Sequence, residues 1–204
     1  MERSGDRRDA PRRCGLCRRR RLRARTGPRP AGHHRLSAAP LRRAADRVAT
    51  PWRNGAGVTA QVAAGDGWRV SIATLDRDAP FSRFDGHDRT LVLLDGAITL
   101  VGIGWSQALA AGDSIAFPGD EAITATVAVP AHALNVMSRH DRWTHAVRRV
   151  AAPRVLEPGE IALVLGGDVR VDGERAARLD AVIGPARIAG SGQLLAIRFA
   201  AQKR

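Results

Sequence analysis

Two stretches, TLVLLDGAITLVG (residues 90–102) and IALVLGGDVRVDG (residues 161–173), decide how this sequence is read. Laid on each other they match Leu94 with Leu165, Gly96 with Gly167 and Gly102 with Gly173. Apolar residues agree at Val92/Leu163, Ile98/Val169 and Leu100/Val171. The alternation is that of a strand, not of a helix. Asp95-Gly96 is a pair favoured in tight turns, so the first stretch reads as a hairpin turning there. Shortening the linker by four residues lays ALAAGDSIAFPG (108–119) on RAARLDAVIGPA (175–186), where Asp113 meets Asp180 and Pro118 meets Pro185. Any two hairpins share alternation. They do not share a run of Gly, Asp and Pro in one order, so we read an internal duplication.

Working outward, WRVSIATL (68–75), DSIAF (113–117), AITATVAV (122–129), HALNVMS (132–138) and QLLAIRFA (193–200) are further short strands between Gly, Pro and Asp turns. This is the pattern of an all-β sandwich or barrel. Two related β units follow, residues 41–138 with an N-terminal segment and residues 139–204 as a second, degenerate copy, joined near 139–156. No long helix is required.

The formal charge of +13 suggests a nucleic-acid partner until it is located. Residues 1–49 hold 16 Arg against 4 acids, or +12, whereas residues 50–204 hold 17 Lys and Arg against 16 acids, or +1. The part that reads as folded is close to neutral. Residues 1–40 lack apolar period and read as a disordered Arg-rich extension. An arm binding phosphates and a targeting peptide are two readings of it, but no aromatic residue is there to stack on bases. We favour a third, a start assigned too far upstream in GC-rich DNA, which predicts a native chain beginning near Leu41 to Val48. Nucleic acid is therefore an unlikely partner, and no run is long enough for a membrane span. Cys14 and Cys17 with His33 and His34 lack the spacing of a zinc finger. The other residues include no cysteine, as suits a cytoplasmic protein.

The strand order and its punctuation resemble the cupin barrel, which implies a bicupin of two double-stranded β-helices. A cupin metal site uses a His-x-His, a Glu, and a later His. Counting back from Gly96 puts Arg89 at the Glu; the His-x-His positions become Arg83 and Asp85, or Ser82 and Phe84; the last His falls on Ile123. Arg and Ile have no lone pair for a metal, so no metal and no cofactor are expected. PWRNGAGVT (51–59), the run from Trp68 to Gly96, FPGD (117–120) and LNVMSR (134–139) narrow the match. They resemble the HutD/Ves family of small bicupins, over about Leu41 to Phe199. That resemblance implies a cytoplasmic protein without known catalysis. It would bind a small carboxylate of histidine breakdown, such as urocanate or a formylated or formimino-glutamate, and restrain that pathway. The alternative is a metal-independent cupin enzyme, a hydrolase or isomerase for such a metabolite.

Arg89 in a metal-ligand position would turn a cation site into an anion site, since a guanidinium grips a carboxylate by two parallel hydrogen bonds. The competing role is an ion pair with Asp88 or Asp85. Asn54 offers donors and an acceptor, and Gly55 and Gly57 allow close backbone approach, although NGAG is also simply a tight turn. Trp52 beside that amide suits a planar ligand. Ser71 shares a strand face with Arg69 and Ala73, opposite the core face of Trp68, Val70 and Ile72. Asn135 and Met137 share a face, and a buried Asn135 needs a partner. Phe81 and Phe84 read first as rings closing one barrel end, with Phe81 also a pocket candidate. No nucleophile elbow or paired-carboxylate spacing supports catalysis. A homodimer through an edge strand remains open.

Overall fold

The structure, a computed structural model, describes residues 40–52 and 55–202. The Arg-rich extension with Cys14, Cys17, His33 and His34 lies outside the described residues. Fifteen strands follow one another: β1 (Leu41–Arg42), β2 (Ala49–Pro51), β3 (Gly57–Gly65), β4 (Trp68–Leu75), β5 (Ala79–Pro80), β6 (His87–Gly102), β7 (Trp105–Ala110), β8 (Ser114–Pro118), β9 (Thr124–Arg139), β10 (Trp143–Ala151), β11 (Arg154–Leu156), β12 (Glu160–Val171), β13 (Glu174–Ala176), β14 (Ala181–Ile183) and β15 (Ala186–Ala201). They form an eight-stranded sheet of β2 to β9 and a seven-stranded sheet of β1 with β10 to β15. This is an all-β cupin architecture.

The duplication is visible in the pairing. β6 pairs with β7, β8 and β9, and β12 pairs with β13, β14 and β15. On the far side, β4 flanks β9 as β10 flanks β15. Individual bonds repeat too. Leu93 N–H donates to Asp113 C=O (2.9 Å) and Gly112 N–H to Leu93 C=O (2.8 Å). Val164 N–H donates to Asp180 C=O (2.9 Å) and Leu179 N–H to Val164 C=O (2.7 Å). Asp113 Oδ2 accepts from Ala110 N–H and Asp180 Oδ2 from Ala177 N–H. Leu179 even adopts the left-handed φ of Gly112, 68° against 99°, a conformation that a leucine takes only at a cost.

The hairpin expected at Asp95-Gly96 is corrected. β6 runs through it as one 16-residue strand, and the chain reverses later, at Ile103-Gly104, between the paired Gly102 and Trp105. The second copy turns at Asp172-Gly173, so Gly104 and not Gly102 is the counterpart of Gly173. Gly96 has φ 76° at a register shift against β9, and a Cβ there would strike Pro130 O and Ala131 Cα. The residue that suits a tight turn equally suits a bend where two backbones touch. Gly167, φ 96°, does the same against Ser191 and Gly192. Likewise AITATVAV and HALNVMS are one bent strand, β9.

Three apolar clusters result. One fills the first barrel around Leu75, Leu93, Leu100 and Ala133, and another fills the second around Val164, Val169, Val182 and Leu194. The third joins the copies, with Val70, Val92, Leu134 and Val136 of the first against Ile161, Leu163, Leu195 and Ile197 of the second. Alternation explains this: each central strand points one set of residues into its barrel and the other into the joint. Both faces of β4 are thereby buried, so Ser71 is not a solvent-facing residue.

Among the polar contacts between the copies, one is built on a histidine. His145 of β10 places Nε2 2.9 Å from Thr90 Oγ1 and Nδ1 2.7 Å from Ser138 Oγ. Burial lowers its pKa below the usual histidine range, against a smaller opposing pull from Asp88. A base with a depressed folded pKa contributes stability that is present above its unfolded value and lost as pH falls through the folded one. The melting temperature is therefore expected to fall as pH drops from about 7.5 to 5.5, the side of the free histidine pKa near 6.5 on which it charges. His145→Gln should flatten that dependence; an equally steep profile in the variant would exclude His145 as its source.

Candidate functional site

Three central strands set the first barrel's interior in register. Arg69 of β4 lies opposite Met137 of β9, which lies opposite Arg89 of β6. The next rung inward is Ser71, Asn135 and Leu91, and the next is Ala73, Ala133 and Leu93. The barrel thus grades from two cations at its mouth, through two small polar groups, to an apolar floor. A cavity of about 90 Å³ opens there, lined by Trp52, Thr59, Arg69, Ala73, Phe81, Ser82, Phe84, Arg89, Leu91 and Asn135.

Arg89 is only 4% exposed. Its guanidinium carbon lies 4.8, 5.3 and 5.4 Å from the ring centres of Phe117, Phe84 and Phe81. Among the described residues its one hydrogen bond is Nη1–H to Ser82 C=O at 3.1 Å. Neither Asp85 nor Asp88 pairs with it, so the ion-pair role does not hold in this structure. Burial, aided by the charge of Arg69, lowers its pKa to about 10, still charged at neutral pH. Arg69 stands 5.6 Å from the Phe84 ring centre and is also lowered by burial. Arg69 Nε, Arg89 Nε, Ser71 Oγ and Asn135 Oδ1 are buried with no hydrogen-bond partner among the described residues. Each such group costs about 1–3 kcal/mol unless something bonds to it. Four such groups stand on adjacent rungs.

The stretch around Trp52 forms one wall. Trp52 Nε1–H donates to Thr59 Oγ1 at 2.7 Å, and the indole meets Phe81 edge to face at 5.9 Å. Gly57 lets this happen, since a Cβ there would stand 3.3 Å from the indole and 2.7 Å from Thr74 O. Of the residues singled out from sequence, Trp52, Phe81, Arg89 and Asn135 line the cavity. Ser71 lies on the adjacent rung, and Met137 lines the neighbouring cleft with Trp68 and His87. Gly55 has φ 67° with open space around it, which makes it a turn residue, whereas Asn54 is outside the described residues. Phe84, read as a ring closing the barrel end, and Ser82, read as a metal-ligand position, line it too, as do Arg69 and Thr59, which the sequence did not mark as site residues. Arg69 was legible by parity with Ser71; nothing local marks Thr59.

The donor set does not fit a cupin metal. Arg89 and Ile123, with either Arg83 and Asp85 or Ser82 and Phe84, stand at the ligand positions, and Ile123 is 2% exposed in the core. The second barrel differs again. Glu160 occupies the counterpart of Arg89, and its carboxylate is satisfied internally by Glu157 N–H at 2.9 Å and by Arg154 at 3.5 Å. The unmatched charge therefore belongs to the first barrel.

The sequence model of one protein family, HutD, matches residues 44–190. This chain belongs to the HutD family. Curated relatives include an uncharacterized 21.2 kDa protein from the hutC 3′ region of Pseudomonas putida, 35% identical over 98 residues, or 44% of this chain and 52% of that one. Protein Ves of Citrobacter koseri is 36% identical over 107 residues, or 48% and 56%. The chain spans about half the length of these relatives. Among solved structures, HutD from Pseudomonas fluorescens SBW25 (formate condition) superposes with a TM-score of 0.70 at 24% identity, covering 80% of this chain and 98% of that one. A cupin 2 conserved barrel domain protein from Leptotrichia buccalis gives 0.53 at 10% identity, covering 71% and 89%. The HutD-family chain thus has the cupin fold. Among its described residues no helix is long and apolar enough to cross a membrane.

Proposed function

We propose that this HutD-family chain is a cytoplasmic binding protein for a small carboxylate of histidine breakdown, urocanate or a formylated or formimino-glutamate, and that occupancy of the site restrains that pathway. One observation carries the reading: Arg69 and Arg89 face one small cavity, and among the described residues no carboxylate pairs with either. A carboxylate supplies what the site lacks, acceptors for guanidinium N–H groups, while Asn135 and Ser71 offer polar contacts to the rest of the molecule. Trp52, Phe81 and Phe84 would pack on a flat or extended body. The formate condition of the Pseudomonas fluorescens HutD structure concerns the same chemical class.

Calorimetric titration of the full chain with urocanate, formylglutamate, formiminoglutamate and formate tests this. Saturable binding of at least one, with affinity lowered tenfold or more by Arg69→Ala, is the expected result, since a charge-assisted bond is worth about 1.5–3 kcal/mol. No heat from any of them would refute the carboxylate reading. Turnover of a bound compound would instead establish a metal-independent enzyme on the same pocket.

A further inference from the structure

The duplication exposes an edge that one copy covers and the other leaves bare. In the second copy, β1 adds to the outer edge of β14, with Leu41 opposite Val182 and Arg42 opposite Ala181. Ile183 N–H donates to Pro40 C=O at 2.8 Å. Arg43 bonds Arg175 C=O (2.7 Å), Asp180 Oδ2 (2.9 Å) and Glu174, and Ala44 N–H bonds Asp180 Oδ1 (2.7 Å).

In the first copy the counterpart of β14 is β8, which among the described residues pairs only with β6. Asp113 C=O bonds β6, so Ile115 and Phe117 also face β6, while the N–H and C=O of Ser114 and Ala116 face away. Asp113, the counterpart of Asp180, is exposed and spends Oδ2 on Ala110 N–H, as Asp180 does on Ala177, which leaves Oδ1 open. Val182 is fully buried beside Leu41, whereas its counterpart Ile115 is only half-buried. Arg149 stands over Gly112, closing the end where Arg47 bonds Leu179 C=O in the second copy. Residues 40–47 thus form a strap on the second copy, and the open edge of the first fits the first part of such a strap and not its whole length.

We propose that the outer edge of β8 docks an extended segment of a partner polypeptide bearing an apolar residue and, two positions on, an arginine, the chemistry of Leu41 and Arg43. The backbone adds a strand to the sheet, the apolar residue covers Ile115, and the arginine pairs with Asp113 and the Ala108 carbonyl. Gln107 stands near the counterpart of Glu174, so the site demands one arginine through one carboxylate.

The probe is a fluorescent synthetic peptide with the sequence of residues 38–47, titrated against the full chain by anisotropy. Saturable binding is expected, weakened about tenfold by Asp113→Asn or by alanine at the peptide's Arg43 position. Ala116→Pro should abolish it with little change in melting temperature, because that N–H points away from β6 and an edge strand tolerates proline. Absence of binding overturns the proposal. So does binding that neither β8 substitution weakens, which would mean exchange with the chain's own β1 at β14. Self-association through β8 that excludes the peptide, seen by sedimentation, would assign the edge to a second copy and overturn it equally.

Discussion

Arg89→Met is expected to weaken carboxylate binding by tenfold to a hundredfold and, at the same time, to raise the melting temperature of the unliganded protein. The first effect is the loss of a charge-assisted donor at the cavity. The second follows from the imbalance around the guanidinium. Taking it out of water costs several kcal/mol, and the protein returns one hydrogen bond to Ser82 plus ring contacts worth about 0.5–2 kcal/mol. The depressed pKa reports the same strain, as does the nearby charge of Arg69. Because a base with a lowered folded pKa is disfavoured until pH rises through that value, the penalty is in full force at neutral pH. Methionine fills a similar volume among Phe81, Phe84 and Phe117 without it. A gain of about 1–2 kcal/mol would move the midpoint up by about 2–8 °C. Calorimetry with and without a bound carboxylate checks both parts. A lower melting temperature would show that the three rings hold Arg89 as a structural cation, and a binding role would then need other evidence.

Asp180→Ala is expected to be the most destabilising single change outside the apolar cores. The carboxylate is 2% exposed and ties the segment before β2 to the second copy through Arg43, Ala44 N–H and Ala177 N–H. Removing it leaves two backbone donors without their acceptor and takes one of three partners from Arg43, which keeps Glu174 and the Arg175 C=O. The loss is about 2–4 kcal/mol, or about 4–16 °C in melting temperature. Asp113→Ala, the same position in the other copy, is exposed and caps one N–H, so it should cost under about 1 kcal/mol. Equal losses at the two sites would contradict the account of the strap. Burial by itself would raise the Asp180 carboxyl, but the Ala44 and Ala177 N–H groups and Arg43 outweigh it and hold it below the usual carboxylate range. A carboxyl lowered on folding stabilises above its unfolded pKa, near 3.9, and ceases to as pH falls through the folded value. The gap between the wild-type chain and Asp180→Ala should therefore close in strong acid.

Arg89 was legible without coordinates because the spacing to Gly96 placed a cation where a cupin keeps a metal ligand. Trp52 and Asn135 were legible because a polar or aromatic group stands among residues that otherwise serve a core or a turn. Arg69 was visible only as a strand neighbour. Its approach to Arg89 depends on β9 lying between β4 and β6, with Met137 opposite both arginines. Such pairing joins residues far apart in the chain, and strand alternation cannot supply it. The Asp95-Gly96 error has a related cause. A positive φ is a local requirement that glycine meets, but whether the chain reverses there or bends across Pro130 and Ala131 depends on what packs against it.

By itself the sequence determined the strand periods, the repeated order of Gly, Asp and Pro, and hence a duplicated all-β cupin; these are matters of backbone conformation, set residue by residue. Only the tertiary structure decided which copy keeps an unmatched charge and which edge is covered. Arg89 and Glu160 occupy the same position, yet Glu160 finds Arg154 and the Glu157 N–H while Arg89 finds aromatic rings and Arg69. Asp180 and Asp113 cap their turns alike, yet only Asp180 meets the strap. A side chain's type sets what it requires, and the neighbours that folding brings to it decide whether that requirement is met within the chain or left for a ligand or partner.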